Sequence, residues 1–295
     1  MDWLWTFPHM DDNRLRLIRT TVDDAFRTFT RAWGDPIQAL FEPLRLLLVW
    51  AEWVMLNTPW PVIVLVVAAL AWGASRRWPI VVGSVVTLLL IGLFDMWDDT
   101  MRTISMILVC TLISLVVGIP IGIGMARSIR LRRIVSPILD VMQTLPSFVY
   151  LIPVVMLMGI GRVPGLIAVV IYAIPPIIRL TDLGIRLVNK EVLEASDAFG
   201  SSAWQKLVNV QLPLAMPTIM TGINQTIMMA LAMVVIASMI GVQGLGQPVL
   251  RAINNQYFTM GILNGLAIVG IAIIFDRISQ AFGQRLQRHR EHGHA

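Results

Sequence analysis

Long apolar runs alternate with short polar stretches along most of this chain. A helix that spans a membrane needs about 20 mostly apolar residues, within a range of roughly 17–25. Seven runs meet or approach that length if the short ones borrow flanking polar residues: 58–74, 79–94, 103–126, 137–160, 164–178, 218–242 and 260–275. The pattern therefore predicts an all-α, polytopic membrane protein with about seven transmembrane helices.

The first 57 residues follow a different pattern. Their last part, 40–56, is apolar but is interrupted by Glu42, Arg45 and Glu52. Each charge held at the centre of a membrane costs roughly 2.5–3.5 kcal/mol on insertion scales, whereas an amphipathic helix lying in the membrane interface keeps its charges in water. We therefore divide the chain into an N-terminal extramembrane and amphipathic segment (1–57), a transmembrane domain (58–275) and a basic tail (276–295).

The composition agrees with a membrane protein. Of the 295 residues, 56% are hydrophobic and only 14% are charged, and the mean hydropathy is +0.73. A soluble domain carries about 25% charged residues. The net charge of +5 does not indicate a nucleic-acid partner, because the basic residues lie beside apolar runs and form no basic and aromatic face. We expect the chain to be surrounded by membrane lipids instead.

Basic residues cluster at alternate ends of the predicted spans. They follow the first and third spans, precede the polar stretch at 191–217, and form the tail: Arg76, Arg77, Arg127, Arg130, Arg132, Arg133, Arg179, Arg186, Lys190, Arg277, Arg285, Arg288 and Arg290. The positive-inside rule places these ends in the cytoplasm. The N-terminus is then outside and the C-terminus cytoplasmic, in a bacterial inner membrane. The N-terminus lacks a basic start followed by an apolar core, so we expect no cleavable signal peptide.

A polar, helix-forming stretch interrupts the apolar pattern at 191–217, EVLEASDAFGSSAWQKLVNVQLPLAMP. Gly200 is expected to end a first short helix, because glycine adopts the left-handed conformation of a helix end without penalty. Ser202-Ala203-Trp204-Gln205 has the spacing of a capping box and predicts the start of a second short helix. Pro213 and Pro217 are expected to close that helix before the next span.

Several residue types in this stretch recur at a known spacing. They are Glu194, Ala195, Ser196, Gly200, Val210, Leu212 and Pro213. This spacing resembles E-A-A-x3-G-x9-I-x-L-P, the cytoplasmic coupling loop of ABC importer permeases, in which the pore-forming subunit contacts a separate ATPase. Ser196 and Val210 are conservative departures from that pattern. The resemblance implies the fold of a type I ABC importer permease and assigns coupling to the ATPase to these seven residues.

A second stretch resembles a narrower group of permeases. Residues 140–186 contain MQTLP at 142–146, FVYLIP at 148–153 and PP at 175–176, and GVQGLG follows at 241–246. These segments are similar to permeases that import quaternary amines such as glycine betaine, proline betaine or choline. The resemblance implies a homodimer of this chain, two copies of an ABC ATPase subunit that use ATP and Mg, and an extracytoplasmic solute-binding protein. It also implies alternating access driven through the coupling helix.

The candidate translocation path or gate combines helix-breaking and polar residues within the spans. Its members are Gln143, Pro146, Tyr150, Pro153, Pro175, Pro176, Asn224 and Gln225. Irregular backbone at membrane depth is tolerated where it is buried in protein or lines a water-filled cavity, and discontinuous helices build the sites of many transporters. The prolines equally fit kinks made for packing, and the amides equally fit hydrogen bonds between helices.

Charges at the predicted membrane edges allow two interpretations. Asp140 lies near the start of one span, and Arg179 and Asp182 lie just past the end of another. They are either an ionic latch that changes between the inward- and outward-facing states or contacts to lipid headgroups that set the topology, and the pattern favours the second.

The chain itself carries no visible catalytic chemistry. It lacks a G-x4-G-K-[ST] phosphate loop, so ATP hydrolysis is expected in the partner and no cofactor in this subunit. His289, His292 and His294 are a weak suggestion of a metal site, and we expect none. Two alternatives to a quaternary-amine importer stay open, namely an ABC permease for an amino acid or another small solute, and a passive osmolyte channel.

Overall fold

The computed structural model describes residues 10–291, with side chains described up to residue 285. All regular structure within this range is helical. The α-helices are α1 (Asp12–Asn57), α2 (Trp60–Ser75), α3 (Trp78–Leu93), α4 (Trp97–Arg127), α5 (Ile129–Thr144), α6 (Ser147–Met158), α7 (Arg162–Ala173), α8 (Pro175–Arg186), α9 (Lys190–Ala198), α10 (Ala203–Gln205), α11 (Leu212–Ala237), α12 (Gly246–Asn255) and α13 (Phe258–Glu291). A π-helix, Lys206–Gln211, joins α10 to α11, and a 3₁₀ turn, Ser238–Ile240, follows α11.

Judged by their length and composition, fewer of the described helices can span a membrane than the seven that the apolar runs predict. Within residues 10–291, four helical stretches are long and apolar enough to cross a membrane, and the number rises to six if each of two bent helix pairs is one span. The four are Trp97–Arg127, Arg162–Arg186, Ala203–Ile240 and Phe258–Arg285. Helix α3 is apolar but has only 16 residues. The predicted runs 58–74 and 79–94 therefore correspond to short helices.

The predicted span 137–160 is not one straight helix. It contains the end of α5 and all of α6, whose axes differ in direction by 101°. The break falls at Leu145, which is extended, and Pro146, which precedes the first residue of α6. Proline disfavours the α conformation at the residue before it and cannot donate a backbone hydrogen bond. A local property of Pro146 thus divides an apolar run that is long enough to span a membrane.

The centre of the fold is formed by α4, α7, α8 and α11. Helix α8 packs on both α4 and α11, and Gly118 and Gly122 of α4 allow a close approach. A Cβ atom added at Gly118 would lie 2.6 Å from the Ile177 side chain, and one at Gly122 would lie 2.7 Å from the Ile178 carbonyl oxygen. Small residues at this spacing are typical of helix contacts in membranes.

The second glycine pair in the sequence, Gly261 and Gly265, behaves differently. A Cβ atom at Gly261 would lie 3.1 Å from that of Ala252, whereas one at Gly265 would have no neighbour within 4 Å. The same four-residue spacing therefore marks a tight contact between α4 and α8 and only a partial contact between α12 and α13.

Helix α13 continues beyond the predicted last span. It runs without a break from Phe258 to Glu291, so much of the predicted tail is helical. Asp276 accepts a hydrogen bond from Asn224 of α11 at 2.8 Å, and a Cβ atom at Gly283 would lie 3.4 Å from Met220. These contacts hold residues 276–283 against α11. The side chains of the three C-terminal histidines named above lie outside the described part of the chain.

Helix α1 is much longer than the amphipathic segment expected at 40–56. It begins at Asp12 and has 46 residues, and its axis is turned by 106° from that of α2. The break at Thr58-Pro59 coincides with the predicted boundary after residue 57. Apolar residues of its C-terminal part, including the buried Leu48, pack against the central core. That this part of α1 lies along the membrane surface stays a prediction.

The charges that interrupt α1 have two different environments. Glu42 pairs with Arg45 of the same helix, and both side chains are about half exposed. Glu52 is buried; its Oε2 accepts from Arg162 Nη1 of α7 at 2.6 Å, and its Oε1 lies 3.5 Å from Arg102 Nε of α4. Arg162 also donates to the Gln243 side chain at 2.9 Å. Glu52 therefore ties α1 to the transmembrane core, which the sequence pattern did not indicate.

Replacing Glu52 by glutamine should loosen α1. Glutamine keeps the volume but removes the charge that compensates Arg102 and Arg162, and charge-assisted hydrogen bonds of this kind contribute roughly 1–3 kcal/mol. We expect a lower apparent melting temperature of the purified subunit. Glu42→Gln is the matched control, because exposed pairs within a helix contribute about 0.3–0.5 kcal/mol. Equal effects of the two substitutions would contradict a tie through Glu52.

Candidate functional site

The candidate coupling site begins with α9, a nine-residue helix. Its N-terminus is capped by the Asn189 side chain, which accepts from the Glu191 amide at 3.0 Å. Its C-terminus is closed by Gly200, whose φ is +76° and whose amide donates to the Asp197 carbonyl at 2.9 Å. A Cβ atom at Gly200 would meet nothing within 4 Å. The position therefore favours glycine because of its left-handed backbone, as the sequence predicted.

The second part of the coupling stretch starts as predicted and ends differently. Ser202 and Gln205 form both hydrogen bonds of a capping box at the start of α10. The helix does not close at Pro213 and Pro217. Pro213 occupies the first turn of α11, Pro217 lies within α11, and the helical path continues from Ala203 to Ile240.

The π-helix explains how the helix passes Pro213. In its last wide turn the Leu212 amide donates to the Leu207 carbonyl, five residues earlier. A regular α-helix would need an N–H that proline lacks and would press the proline ring against the preceding turn. A wider turn before Pro213 relieves this crowding. The second part of the coupling stretch, from Ala203 onward, is therefore continuous with α11, whereas α9 is separated from it by the break at Gly200.

The tip of the coupling site, residues 199–204, presents large apolar side chains to its surroundings. Phe199 is 90% exposed and Trp204 is 67% exposed. The tip is held from both sides, because Lys206 pairs with Asp197 and Arg127 of α4 donates to the Ala203 carbonyl at 2.6 Å. Exposed aromatic residues on a fixed support are typical of a protein contact surface.

The coupling residues predicted from the sequence divide between surface and interior. Glu194 and Ala195 are exposed on α9, Val210, Leu212 and Pro213 are partly buried where α11 begins, and Ser196 is buried. The Ser196 hydroxyl has no hydrogen-bond partner among the described residues. Alanine, which the family pattern has at this position, would therefore fit the same space without an unpaired group.

The candidate path residues are not brought together into one cavity within the subunit. Gln143, Pro146, Pro153 and Gln225 are exposed, whereas Tyr150, Pro175 and Pro176 are buried and Asn224 is partly buried. Only Pro146 lies at a sharp bend. Pro153 lies inside α6, and Pro175 and Pro176 occupy the first turn of α8 within one 25-residue span.

The two adjacent amides of α11 face in different directions. Asn224 Nδ2 donates to Asp276, and its Oδ1 accepts from the Ser279 hydroxyl at 2.6 Å. Asn224 therefore joins α11 to α13. Gln225 is exposed and belongs to a stripe on α11 with Thr221, Met228 and Ala232. Their spacing of three or four residues places these four side chains on one helix face.

Tyr150 stabilises the bend between α5 and α6. The Met142 carbonyl would accept from residue 146 in a continuous helix, but Pro146 has no N–H. The Tyr150 hydroxyl donates to that carbonyl instead. Its ring packs edge-on against Tyr172 of α7, with the ring centroids 6.3 Å apart. Tyr150 thereby satisfies the backbone group that the proline leaves free.

Replacing Tyr150 by phenylalanine should weaken the bend. The Met142 carbonyl would lose its partner, and an unpaired buried group costs about 1–3 kcal/mol. We expect a lower apparent melting temperature and slower uptake. Tyr172→Phe is the matched control, since the Tyr172 hydroxyl makes no hydrogen bond to the described residues. A stability loss as large in Tyr172→Phe would show that the ring environment, and not the hydrogen bond to Met142, is responsible.

Arg179 and Asp182 lie three residues apart at the predicted membrane edge, but they pair with other residues and not with each other. Arg179 of α8 pairs with Asp140 of α5. Asp182 is buried and pairs with Arg186 at 2.9 Å and with Arg132 at 3.5 Å. Arg179 and Asp182 are thus joined to α5 through separate ion pairs. These ion pairs leave both interpretations open, the ionic latch and the contacts to lipid headgroups.

Comparison with known proteins identifies the family. Residues 118–288 match the family described as "binding-protein-dependent transport system inner membrane component". A glycine betaine/carnitine transport permease of Listeria monocytogenes is 50% identical over 237 residues, which are 79% of this chain and 84% of that protein. A glycine betaine/proline betaine transport permease of Escherichia coli is 51% identical over 230 residues, 78% of this chain. The chain covers 65% of that relative, slightly less than two thirds of its length.

A solved structure has the same fold. The inward-facing methionine ABC transporter MetNI contains a chain that superposes with a TM-score of 0.57 at 21% identity, covering 62% of this chain and 92% of that chain. The predicted resemblance to ABC importer permeases is thereby confirmed. The chain belongs to the family of binding-protein-dependent transport system inner membrane components and has the fold of a type I ABC importer permease.

Proposed function

We propose that the chain is the membrane-spanning permease subunit of an ATP-driven importer for a quaternary amine such as glycine betaine or proline betaine. The observation that carries this proposal is the identity of about half the residues to permeases named for glycine betaine. Choline belongs to the same chemical class and is included as a candidate. The coupling pattern in an exposed, supported tip agrees with an ATP-driven transporter.

The tip at 199–204 is the proposed contact with the ATPase. Its exposed aromatic side chains fit an apolar groove of a partner, as in helix-in-groove recognition. Because the helix continues from Ala203 into the membrane domain, a displacement of the tip by the partner is transmitted along α11. ATP and Mg are used by that partner, and two copies of it act on a homodimer of this chain.

The proposed translocation surface consists of the exposed stripe of α11 defined above and of exposed residues of α5 and α6. The stripe carries Thr221 and Gln225, and Gln143 and Pro146 lie at the exposed bend between α5 and α6. Polar groups on a lipid-facing surface are costly, so a second subunit facing them explains their exposure. The substrate passes between the two subunits, and the solute-binding protein delivers it from outside.

The contacts between helix ends support the proposed direction of the chain in the membrane. Gly283, near the C-terminal end of α13, lies beside Met220, two turns from the start of α11. The C-terminal end of α13 is therefore at the same end of the molecule as the coupling tip. We propose that this end is cytoplasmic and that Glu52 and Arg162 lie at the outer end.

Uptake in proteoliposomes tests the function. The chain is reconstituted with its cognate ATPase and solute-binding protein. The uptake of radiolabelled glycine betaine, choline and proline is then measured with and without ATP. Uptake of a quaternary amine that needs both ATP and the binding protein supports the proposal. ATP-dependent uptake of proline alone favours an amino-acid permease. Uptake that persists with a hydrolysis-dead ATPase favours a passive channel.

A further inference from the structure

Four arginines lie near one another where α2 ends, α3 begins and α13 approaches its C-terminus, at the same end of the molecule as the coupling tip. Arg76 and Arg77 form the turn between α2 and α3, and Arg277 and Arg285 lie on α13. All four line one cavity of about 350 Å³. We call this set of four side chains the arginine cluster.

Among the residues with described side chains, no acid lines the cavity that holds the arginine cluster. The cavity is lined otherwise by neutral residues, including Gln280 and Gln284, and within the described part of the chain none of the four arginines forms an ion pair. Like charges gathered without a counter-charge repel one another, by roughly 1 kcal/mol or more per pair at close range. The cluster is therefore arranged for an anion from outside the chain.

The backbone supports this arrangement. Arg76 has a φ of +48°, in the left-handed region that L-residues other than glycine, asparagine and aspartate rarely adopt, and this conformation turns the chain from α2 towards α3. Arg285 donates to the Gly73 carbonyl at the end of α2, which keeps α13 beside that turn. Two separate elements thus bring their basic residues to the same cavity.

Two tryptophans place the cavity at the level of the lipid headgroups. Trp72 of α2 and Trp78 of α3 lie on either side of the turn, with ring centroids 4.7 Å apart, and they are 41% and 67% exposed. Tryptophan is enriched where the apolar membrane meets water. The cavity is also at the coupling end of the molecule, because it contains the end of α13.

We propose that the arginine cluster binds the phosphate group of an anionic phospholipid in the cytoplasmic leaflet. Guanidinium groups make paired hydrogen bonds to phosphate oxygens, and basic pockets between helices on the cytoplasmic side are suited to such headgroups. The amide of Gln284 supplies a further donor, whereas the Gln280 amide already donates to Asp276 at 2.6 Å. The lipid would join the α2–α3 hairpin to α13. This site is independent of the substrate that the permease carries.

Native mass spectrometry of the solubilised permease–ATPase complex tests the site. Phosphatidylglycerol is titrated against the wild type, against the double variant Arg76→Gln/Arg277→Gln, and against Arg130→Gln/Arg133→Gln. Arg76 and Arg277 make no side-chain hydrogen bond within the described residues, so their loss should leave the fold intact, which a melting curve without lipid verifies. The control pair removes the same charge from exposed positions on α5 at the same end of the molecule.

The expected result is about 30-fold weaker binding of phosphatidylglycerol in the site variant, since each lost charge-assisted contact to the phosphate weakens binding by about fivefold or more. The control pair should change binding by no more than about twofold. Equal weakening in both pairs, or none in the site variant, would overturn the site. In a further experiment, inorganic phosphate competes with bound phosphatidylglycerol at matched ionic strength. Full displacement of the lipid by phosphate would assign the cluster to a soluble phosphate and overturn the lipid assignment.

Discussion

Replacing Phe199 by aspartate will abolish ATP-driven uptake without unfolding the subunit. Phe199 is 90% exposed, so the substitution disturbs no internal packing. In the proposed complex the same side chain enters an apolar groove of the ATPase, where aspartate would be buried without a partner. Aromatic residues at the centre of an interface contribute at least about 2 kcal/mol, which is a loss of roughly 30-fold or more in affinity.

The measurement is ATPase binding and uptake in the same preparations. Phe258→Asp is the matched control, because Phe258 is also a highly exposed phenylalanine, 79%, but lies at the opposite end of the molecule, at the start of α13. We expect the control to bind the ATPase as the wild type does. Normal ATPase binding by Phe199→Asp would show that the tip is not the contact, even if uptake were reduced.

Replacing Gly122 by leucine will separate α4 from α8 and prevent the subunit from folding stably. A Cβ atom alone would lie 2.6 Å from Thr181 Cβ and 2.7 Å from the Ile178 carbonyl oxygen, and a backbone oxygen within a helix cannot move aside cheaply. Overpacking of a core typically costs about 1–3 kcal/mol, and a clash with backbone on a rigid helix places this substitution at about 3 kcal/mol or above.

The matched control for Gly122 is Gly83→Leu. Gly83 lies in the middle of α3, and a Cβ atom there would meet nothing within 4 Å. Both substitutions introduce the same side chain into a membrane helix, so their helix propensities change equally. The yield of monodisperse protein and the apparent melting temperature should fall for Gly122→Leu alone. A normal yield of Gly122→Leu would mean that α4 and α8 do not approach as closely as described.

Features that depend on neighbouring residues were predictable. The left-handed Gly200 and the capping box at Ser202 each follow from the chemistry of one residue or of residues three apart. The coupling pattern was visible for the same reason, because its spacing lies within a single stretch. The family resemblance rested on such local segments, and the comparisons confirm it.

Features that depend on distant residues were not predictable. The sequence pattern predicted Glu52 to be a charge on an interfacial helix, but its partner Arg162 lies 110 residues away in the chain. Asn224 was a candidate for the path, and its partner Asp276 lies 52 residues away. The arginines of the cavity were read only as indicators of orientation. A single sequence contains no distance between such residues, so the pairing of buried charges could not be deduced from it.

Apolar run lengths, prolines and glycines were enough to predict a helical membrane protein with a polar, helix-forming stretch between its spans, because hydrophobic length and backbone preference act locally. Three features depended on how the helices pack. They are the angle between α5 and α6, the wide helical turn before Pro213, and the direction in which each polar side chain faces. Packing is a property of many distant contacts at once. It therefore separated Asn224, which joins two helices, from Gln225, which faces outward beside it.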